Sequence, residues 1–120
     1  MPKLGRILIR RGDIYWAGLN PTRGSEQSGR RPVVIIQNDV GNEFSSTTIV
    51  APLTTKKLSK PYPTNVHLPK GIGGLKEEST VLLSQIRVVD KVRLEKKMGH
   101  LPLNFMEEMD TAIKASLGLV

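Results

Sequence analysis

The sequence has no cysteine and few aromatic residues: one Trp, two Tyr and two Phe among 120 residues. Without cysteine, the chain cannot form disulfides, thiolate zinc sites or thiol nucleophiles. The aliphatic run at residues 7–9 lies between two arginines and is far too short for a membrane span or the core of a signal peptide. Apolar residues still make up 38% of the chain. We therefore expect one globular domain in the cytoplasm, with no membrane association.

Acidic residues are also in deficit, with 11 Asp and Glu against 18 Lys and Arg, for a net charge of +7. The surplus is concentrated in residues 1–31, which carry seven basic residues and two acidic ones. Most of these basic residues are arginines, whose planar guanidinium can bind a phosphate through two hydrogen bonds. The charge distribution favours a phosphate-rich partner such as nucleic acid, although solubility alone would also account for it.

Short apolar and β-branched segments separated by turn residues predict a β structure for most of the chain. The predicted strands are residues 12–17, 32–36, 47–53, 64–68 and 79–89. A turn is expected at residues 38–42, which contain two Asn, one Asp and one Gly. Counting by twos along the last strand places four side chains on one face: Val81, Leu83, Gln85 and Arg87.

The apolar spacing changes to that of a helix near the C-terminus. One helical face from residue 103 to residue 117 would carry Met106, Met109, Ile113 and Leu117. Pro102 stands where a helix can begin, and Gly118 stands where a left-handed C-cap is expected. Strands followed by one terminal helix predict a small antiparallel barrel with the helix packed against it.

Conventional enzyme motifs are missing from the sequence. The two histidines stand alone, the acidic residues lack the spacing of metal ligands, and no phosphate-binding glycine loop or nucleophile elbow occurs. We therefore predict no metal site and no cofactor. Arg31 immediately precedes the strand at residues 32–36, and Thr54 and Thr55 follow the strand at residues 47–53. If these strands are neighbours, an arginine and a hydroxyl could meet on one phosphate.

Residues 11–16 read RGDIYW, and residues 24–39 read GSEQSGRRPVVIIQND. These two segments closely resemble the MazF/PemK family of toxin ribonucleases. The match continues in one register through residues 48–54, 81–87 and 116–119, and it is closest to toxins of the Gram-positive type. It defines residues 11–120 as a single domain. Residues 1–10 fall outside it and are interpreted as a basic N-terminal extension that need not be ordered.

The resemblance implies a fold, an activity and partners. The fold is an SH3-like barrel with a terminal helix, which works as a homodimer. The activity is metal-independent cleavage of single-stranded RNA at a short sequence, which leaves a 2′,3′-cyclic phosphate and a 5′-hydroxyl. DNA would not be a substrate because it lacks the 2′-hydroxyl. The implied protein partner is a MazE-type antitoxin whose acidic C-terminal tail occupies the RNA groove.

The resemblance also implies roles for individual residues. By position, the catalytic arginine of the family falls on Arg31 and its catalytic threonine on Thr54. The same comparison implies RNA-binding roles for Ser25, Glu26, Gln27, Asn38, Thr55, Gln85 and Arg87. Arg11 is assigned to RNA binding as a phosphate anchor, with plain surface charge as the alternative. The relatives read a U-rich five-base word, which is the expectation here. The residues do not single out the group that removes the 2′-hydroxyl proton.

Two other functions would fit the same fold, because fold alone does not determine function. One is a non-enzymatic inhibitor of DNA gyrase, as in CcdB-type toxins. The other is a basic nucleic-acid-binding module without catalysis, whose RNA binding would survive the loss of the Thr54 hydroxyl. Cleavage of RNA by the purified protein distinguishes the ribonuclease from both.

Overall fold

The computed structural model describes residues 8–58 and 60–119, which form an antiparallel sheet of seven strands with two helices. The strands are β1 (Asp13–Gly18), β2 (Arg30–Ile35), β3 (Thr47–Thr54), β4 (Asn65–Leu68), β5 (Ser79–Leu82), β6 (Arg87–Asp90) and β7 (Leu94–His100). The helices are α1 (Asp39–Phe44) and α2 (Leu103–Leu117). The strand order is β4–β5–β3–β2–β1–β7, and β6 also pairs with β3. The predicted β fold with a C-terminal helix is confirmed.

The central strands β2 and β3 are apolar on both sides because a separate core covers each side. Val34 belongs to the core cluster that also contains Leu53 and the helix residue Met109. Its neighbours Val33 and Ile35 belong to a second cluster on the other side of the sheet. All five of these side chains are fully buried or nearly so. A continuous apolar run is the pattern expected of a strand buried on two faces.

Helix α2 has the predicted bounds and packs on β4. Gly118 adopts φ = 71°, and the backbone N–H of Leu119 donates to the carbonyl of Lys114, which is the predicted left-handed C-cap. The prediction that Leu117 lies on the packed face is wrong, since it is 58% exposed. The packed position is taken instead by Ser116, whose hydroxyl donates to the carbonyl of Leu83 at 2.6 Å.

The single strand predicted at residues 79–89 is broken by a 3-10 turn at Leu83–Gln85. Its two halves pair with different parts of β3: β5 with the end of the strand and β6 with its beginning. The break lets β5 also pair with β4, so that the sheet bends around its core. Period-two counting across residues 81–87 therefore fails, because the alternation of faces holds only within a continuous strand.

Two further elements differ from the sequence prediction. The turn expected at residues 38–42 is the short helix α1, because the Asn38 side chain accepts a hydrogen bond from the Gly41 N–H and caps it. Strand β7 was not predicted at all. It lies at the edge of the sheet beside β1, and its exposed side chains at residues 95–97 are charged, which hides the apolar alternation.

The predicted N-terminal extension is described only in part, since residues 1–7 lie outside the described residues. Ile9 is 5% exposed and belongs to the second core cluster. The Arg10 N–H donates to the buried carboxylate of Asp13 at 2.9 Å. The packed chain therefore begins before residue 11. Within the described ranges, no helix combines the length and apolar character needed to cross a bilayer.

Candidate active site

Arg31 and Thr54 lie beside each other at the ends of neighbouring strands. Strands β2 and β3 pair with Val33 opposite Pro52, and the same register continued by two residues sets Arg31 opposite Thr54. The Arg31 guanidinium is held in place by two backbone carbonyls. Its Nε donates to Ser28 O at 2.9 Å, and its Nη1 donates to Leu53 O at 3.1 Å. A guanidinium has five N–H donors, so three remain for a ligand.

The Thr54 hydroxyl is oriented by the loop that follows β3. Its Oγ1 accepts a hydrogen bond from the backbone N–H of Lys56 at 3.2 Å, which leaves the hydroxyl hydrogen free to donate. The register thus places a fixed cation and a hydroxyl donor on the same face of neighbouring strands. Oxygens of a phosphate are the ligand that such a pair fits. Thr55, the next residue, is exposed.

A first cleft of about 410 Å³ adjoins β3, the strand that ends at Thr54. Pro52 lines it and lies two residues before Thr54, so both residues project from the same side of β3. The cleft brings together five of the predicted RNA-binding residues: Ser25, Glu26, Gln27, Gln85 and Arg87. Gln85 and Arg87 thus meet in one place as predicted, but from a turn and the start of β6 rather than from one strand.

The contacts of Gln85 and Arg87 show what these side chains do in the free protein. Gln85 Oε1 accepts from the Gln27 N–H at 2.8 Å, and its Nε2 donates to Ser25 O at 3.4 Å. Arg87 Nη1 donates to Leu19 O at 3.1 Å. Both side chains therefore hold the loop that forms the other wall of the cleft. Sequence reasoning missed this positioning role, because their partners are distant in the chain.

Arg11 and Asn38, also predicted to bind RNA, lie beyond the opposite end of β2 from Arg31. Arg11 Nε donates to Ile36 O at 2.8 Å, and its Nη2 forms a salt bridge with Asp110 of α2 at 2.6 Å. Asn38 caps α1. Within one chain, these two residues are thus not brought to the Arg31 and Thr54 pair, and their RNA contacts stay a prediction.

The Arg11 backbone lowers the pKa of Asp39. The Arg11 N–H donates to Asp39 Oδ1 at 2.7 Å and is the largest cause, with smaller contributions from the Asn42 amide and the charges of Arg10 and Arg11. Burial, the second-largest cause, acts in the opposite direction. A depressed folded-state pKa means that the ionised carboxylate stabilises the fold above its ordinary pKa of 3.8. That stabilisation is lost as the pH falls below this value.

We therefore expect Asp39→Asn to lower the free energy of unfolding by about 1 kcal/mol at pH 7, the size of one exposed charged hydrogen bond. The difference from the parent protein should shrink below pH 4, because the carboxylate protonates first in the unfolded parent and then, at lower pH, in the folded parent. Urea unfolding at pH 7 and pH 3 measures both values. Glu108→Gln, at an exposed position on α2, removes the same charge as a control. An equal difference at both pH values would contradict the prediction.

A second cleft of about 420 Å³ lies at the end of β3. Thr54 and Thr55 line it together with three lysines of the following loop, Lys56, Lys57 and Lys60. Sequence reasoning did not assign this cluster, although the run TTKKLSK at residues 54–60 was a visible signal. His67 also lines this cleft, with its Nε2 3.8 Å from a carboxylate oxygen of Glu78.

Histidine and carboxylate side chains do not gather into one site in the described part of the chain. No group of three or more that could hold a metal ion occurs there. His100 contacts a different carboxylate from His67, since its Nδ1 lies 2.8 Å from Oδ1 of the buried Asp13. Burial is the main cause that raises the pKa of the nearby Tyr15, and the charge of the same Asp13 acts in the same direction.

The fold and the site together define a small β-sheet protein with an arginine and a threonine at the ends of neighbouring strands and a polar cleft that the threonine lines. Residues 10–117 match the family model described as PemK-like, MazF-like toxin of type II toxin-antitoxin system. The chain belongs to this family, as the resemblance in its sequence predicted.

Known relatives extend this assignment. The chain is 45% identical over 114 residues to endoribonuclease EndoA of Bacillus subtilis (strain 168), which covers 95% of this chain and 98% of the relative. The crystal structure of MazF from Deinococcus radiodurans superposes with a TM-score of 0.80 at 26% identity, over 93% of this chain and 98% of that one. A MazE–MazF structure from the same organism gives 0.74 at 26% identity, over 95% and 99% of the chains.

Proposed function

We propose that this protein is an endoribonuclease toxin that cuts single-stranded RNA at a short sequence without a metal ion. The observation that carries the proposal is the register of β2 and β3, which when continued sets Arg31 opposite Thr54, together with the hydrogen bond from Arg31 to Leu53 O. The relative at 45% identity over nearly the whole chain is named an endoribonuclease, which supports the same reaction here. The products are a 2′,3′-cyclic phosphate and a 5′-hydroxyl.

The reaction uses a nucleophile that the RNA itself supplies. The 2′-oxygen attacks the adjacent phosphorus, the bond from phosphorus to the 5′-oxygen breaks, and no water is consumed. The 2′-hydroxyl loses one proton and the leaving 5′-oxygen gains one. In-line alignment of these atoms is the main requirement, and it is met by holding the phosphate rather than by a protein nucleophile.

Arg31 and Thr54 hold the phosphate and stabilise its transition state. Negative charge grows on the non-bridging oxygens as the 2′-oxygen attacks. The guanidinium is already fixed by Ser28 O and Leu53 O, so it need not reorganise during the reaction. Such preorganised donors typically contribute about 3 kcal/mol each to transition-state stabilisation. Thr54 donates the second hydrogen bond.

Base selection is assigned to the first cleft. Ser25 and Glu26 are exposed at its wall, and Gln27 is half-buried beside them. Unstacked bases of single-stranded RNA present hydrogen-bonding edges that such groups can read. Gln85 and Arg87 keep this wall in position through the contacts described above, and Thr55 extends the polar surface past Thr54.

We further propose that the toxin acts in the cytoplasm as a homodimer and is neutralised by an antitoxin with an acidic tail. The MazE–MazF structure of the Deinococcus radiodurans relative supports a protein partner. Two exposed apolar pairs support a dimer surface: Val40 with Phe44 on α1, and Ile49 with Val88 across β3 and β6. An acidic tail complements the basic surface around Arg31.

The decisive experiment incubates the purified protein with a long single-stranded RNA in excess EDTA, then sequences and chemically types the fragment ends. We expect cuts at one short word, with cyclic-phosphate ends and a rate that EDTA does not change. A 2′-deoxy substitution on the nucleotide before the cut should abolish cleavage there, because it removes the nucleophile. Strong inhibition by EDTA would contradict the metal-independent mechanism. Gyrase inhibition without RNA cleavage would favour the CcdB-type function instead.

A further inference from the structure

A row of four polar residues crosses four neighbouring strands beside the second cleft. The register continued from β2 sets Arg31 opposite Thr54, Thr54 pairs with Thr80 of β5, and Thr80 pairs with His67 of β4. Residues opposite each other in an antiparallel sheet project on the same face. With strands about 4.8 Å apart, the row extends roughly 14 Å from Arg31 to His67. It therefore continues well past the scissile phosphate.

The lysines beside this row have no acidic partner in the described part of the chain. Lys56, Lys57 and Lys60 form no ion pair there, whereas Arg11, Arg30 and Lys97 each pair with an acidic residue. One carboxylate, that of Glu78, lines the second cleft, and it lies beside His67. A negatively charged ligand can thus approach these lysines without breaking an existing ion pair.

The Thr80 hydroxyl is also available to bind a negatively charged ligand. Thr80 lines the cleft and is half-buried, and none of the described residues forms a hydrogen bond with its side chain. The first cleft differs in charge, since its one arginine, Arg87, is balanced by Glu26. The first cleft, whose charges balance, suits the bases of an RNA. The positive second cleft suits the phosphate backbone of the same RNA.

We propose that the second cleft is a phosphate subsite that binds the RNA phosphate next to the scissile one, on one side of the cut. Lys56 and Lys57 neutralise this phosphate, and Thr80 and His67 donate hydrogen bonds to it. The inference rests on the proposed function, because Thr54 belongs to both the scissile site and this cleft. The RNA backbone then follows the row from Arg31 towards His67.

The test combines a charge change in the RNA with a charge change in the protein. Synthetic RNAs that contain the mapped cut site carry one methylphosphonate, which is neutral, at the phosphate on either side of the cut. Each RNA is cleaved by the parent protein and by Lys56→Ala/Lys57→Ala. Lys96→Ala/Lys114→Ala is the matched control, since these two lysines are exposed on β7 and α2, line neither cleft and carry the same charge.

At one of the two positions, we expect the methylphosphonate to lower kcat/KM of the parent and of the control about tenfold, as for one lost hydrogen bond to a charged group. The Lys56→Ala/Lys57→Ala protein should show almost no further loss there, because the partners of that phosphate are already gone. Thermal unfolding checks that both variants are folded.

The other outcomes separate the subsite from the function. If the parent cuts RNA but the methylphosphonate costs the same factor in every variant, the subsite is refuted and the ribonuclease stands. If the parent cuts no RNA, the proposed function fails and the subsite fails with it. If the lysine substitutions weaken binding of an acidic peptide and leave the methylphosphonate effect unchanged, the cleft is a peptide site and the RNA subsite is refuted.

Discussion

Arg31→Ala is expected to lower kcat for RNA cleavage by at least about a hundredfold, because it removes the cation that stabilises the transition-state charge. The loss should fall on kcat as well as on kcat/KM, since the contact strengthens as charge develops. The fold should survive. Arg31 is only half-buried, so water can replace its guanidinium at Ser28 O and Leu53 O.

The neighbouring residue offers a matched control for this substitution. Arg30 carries the same charge but projects from the opposite side of β2, where its guanidinium lies 4.3 Å from the ring centroid of Trp16 and pairs with Glu95. Arg30→Ala should therefore retain cleavage at a rate near that of the parent. Equal losses in both variants would mean that general surface charge, rather than Arg31, drives the reaction.

Arg31→Lys tests the geometry of the group rather than its charge. Lysine keeps the positive charge but lacks the planar fork, so it cannot bind Ser28 O and Leu53 O and also present several donors to a phosphate. Arg31→Lys should therefore show most of the loss in kcat that is expected for Arg31→Ala. Single-turnover cleavage of one RNA by the parent and the three variants makes the comparison. Cleavage by Arg31→Ala near the parental rate would refute the assignment of this residue.

The elements that could be predicted from the sequence are those whose pattern reflects one continuous packing environment. Helix α2 is predicted from about Leu103 to Leu117 because Met106 and Met109 repeat at helical spacing, and both side chains are buried in the structure. Strand β2 was predicted because the run from Val33 to Ile35 is buried on both sides. In both, the local pattern and the tertiary contacts agree.

The features that escaped prediction depend on contacts between distant parts of the chain. The role of Gln85 follows from its hydrogen bonds to Gln27 and Ser25. These residues precede it by 58 and 60 positions, a separation that no local pattern encodes. Arg11 is predicted to bind the same RNA as Arg31, yet the strand direction carries the two to opposite ends of β2. Strand β7 pairs with β1 at the edge of the sheet. Its exposed side chains are charged, so the sequence lacks the apolar alternation by which strands are predicted.

The backbone contact that holds β7 leads to the second large expected effect. Gly74 has φ = 79°, and a Cβ atom added to it would lie 2.0 Å from the carbonyl oxygen of Met98 in β7. From the other side, a Cβ atom on Gly99 would lie 2.4 Å from the carbonyl oxygen of Gly73. The turn at Ile72–Gly74 and strand β7 are thus packed backbone to backbone, and neither position has room for a side chain.

Gly74→Ala should therefore lower the free energy of unfolding by at least about 3 kcal/mol, since the backbone of β7 must move as well as the turn. The corresponding fall in Tm is roughly 10 °C or more for a chain of this size. Gly71→Ala separates the two causes, because Gly71 has φ = 94° in the same loop but nothing within 4 Å of an added Cβ. That control carries only the cost of the left-handed backbone, about 1 kcal/mol. Calorimetry of the two variants measures the difference, and equal losses would show that the contact with β7 adds nothing to stability.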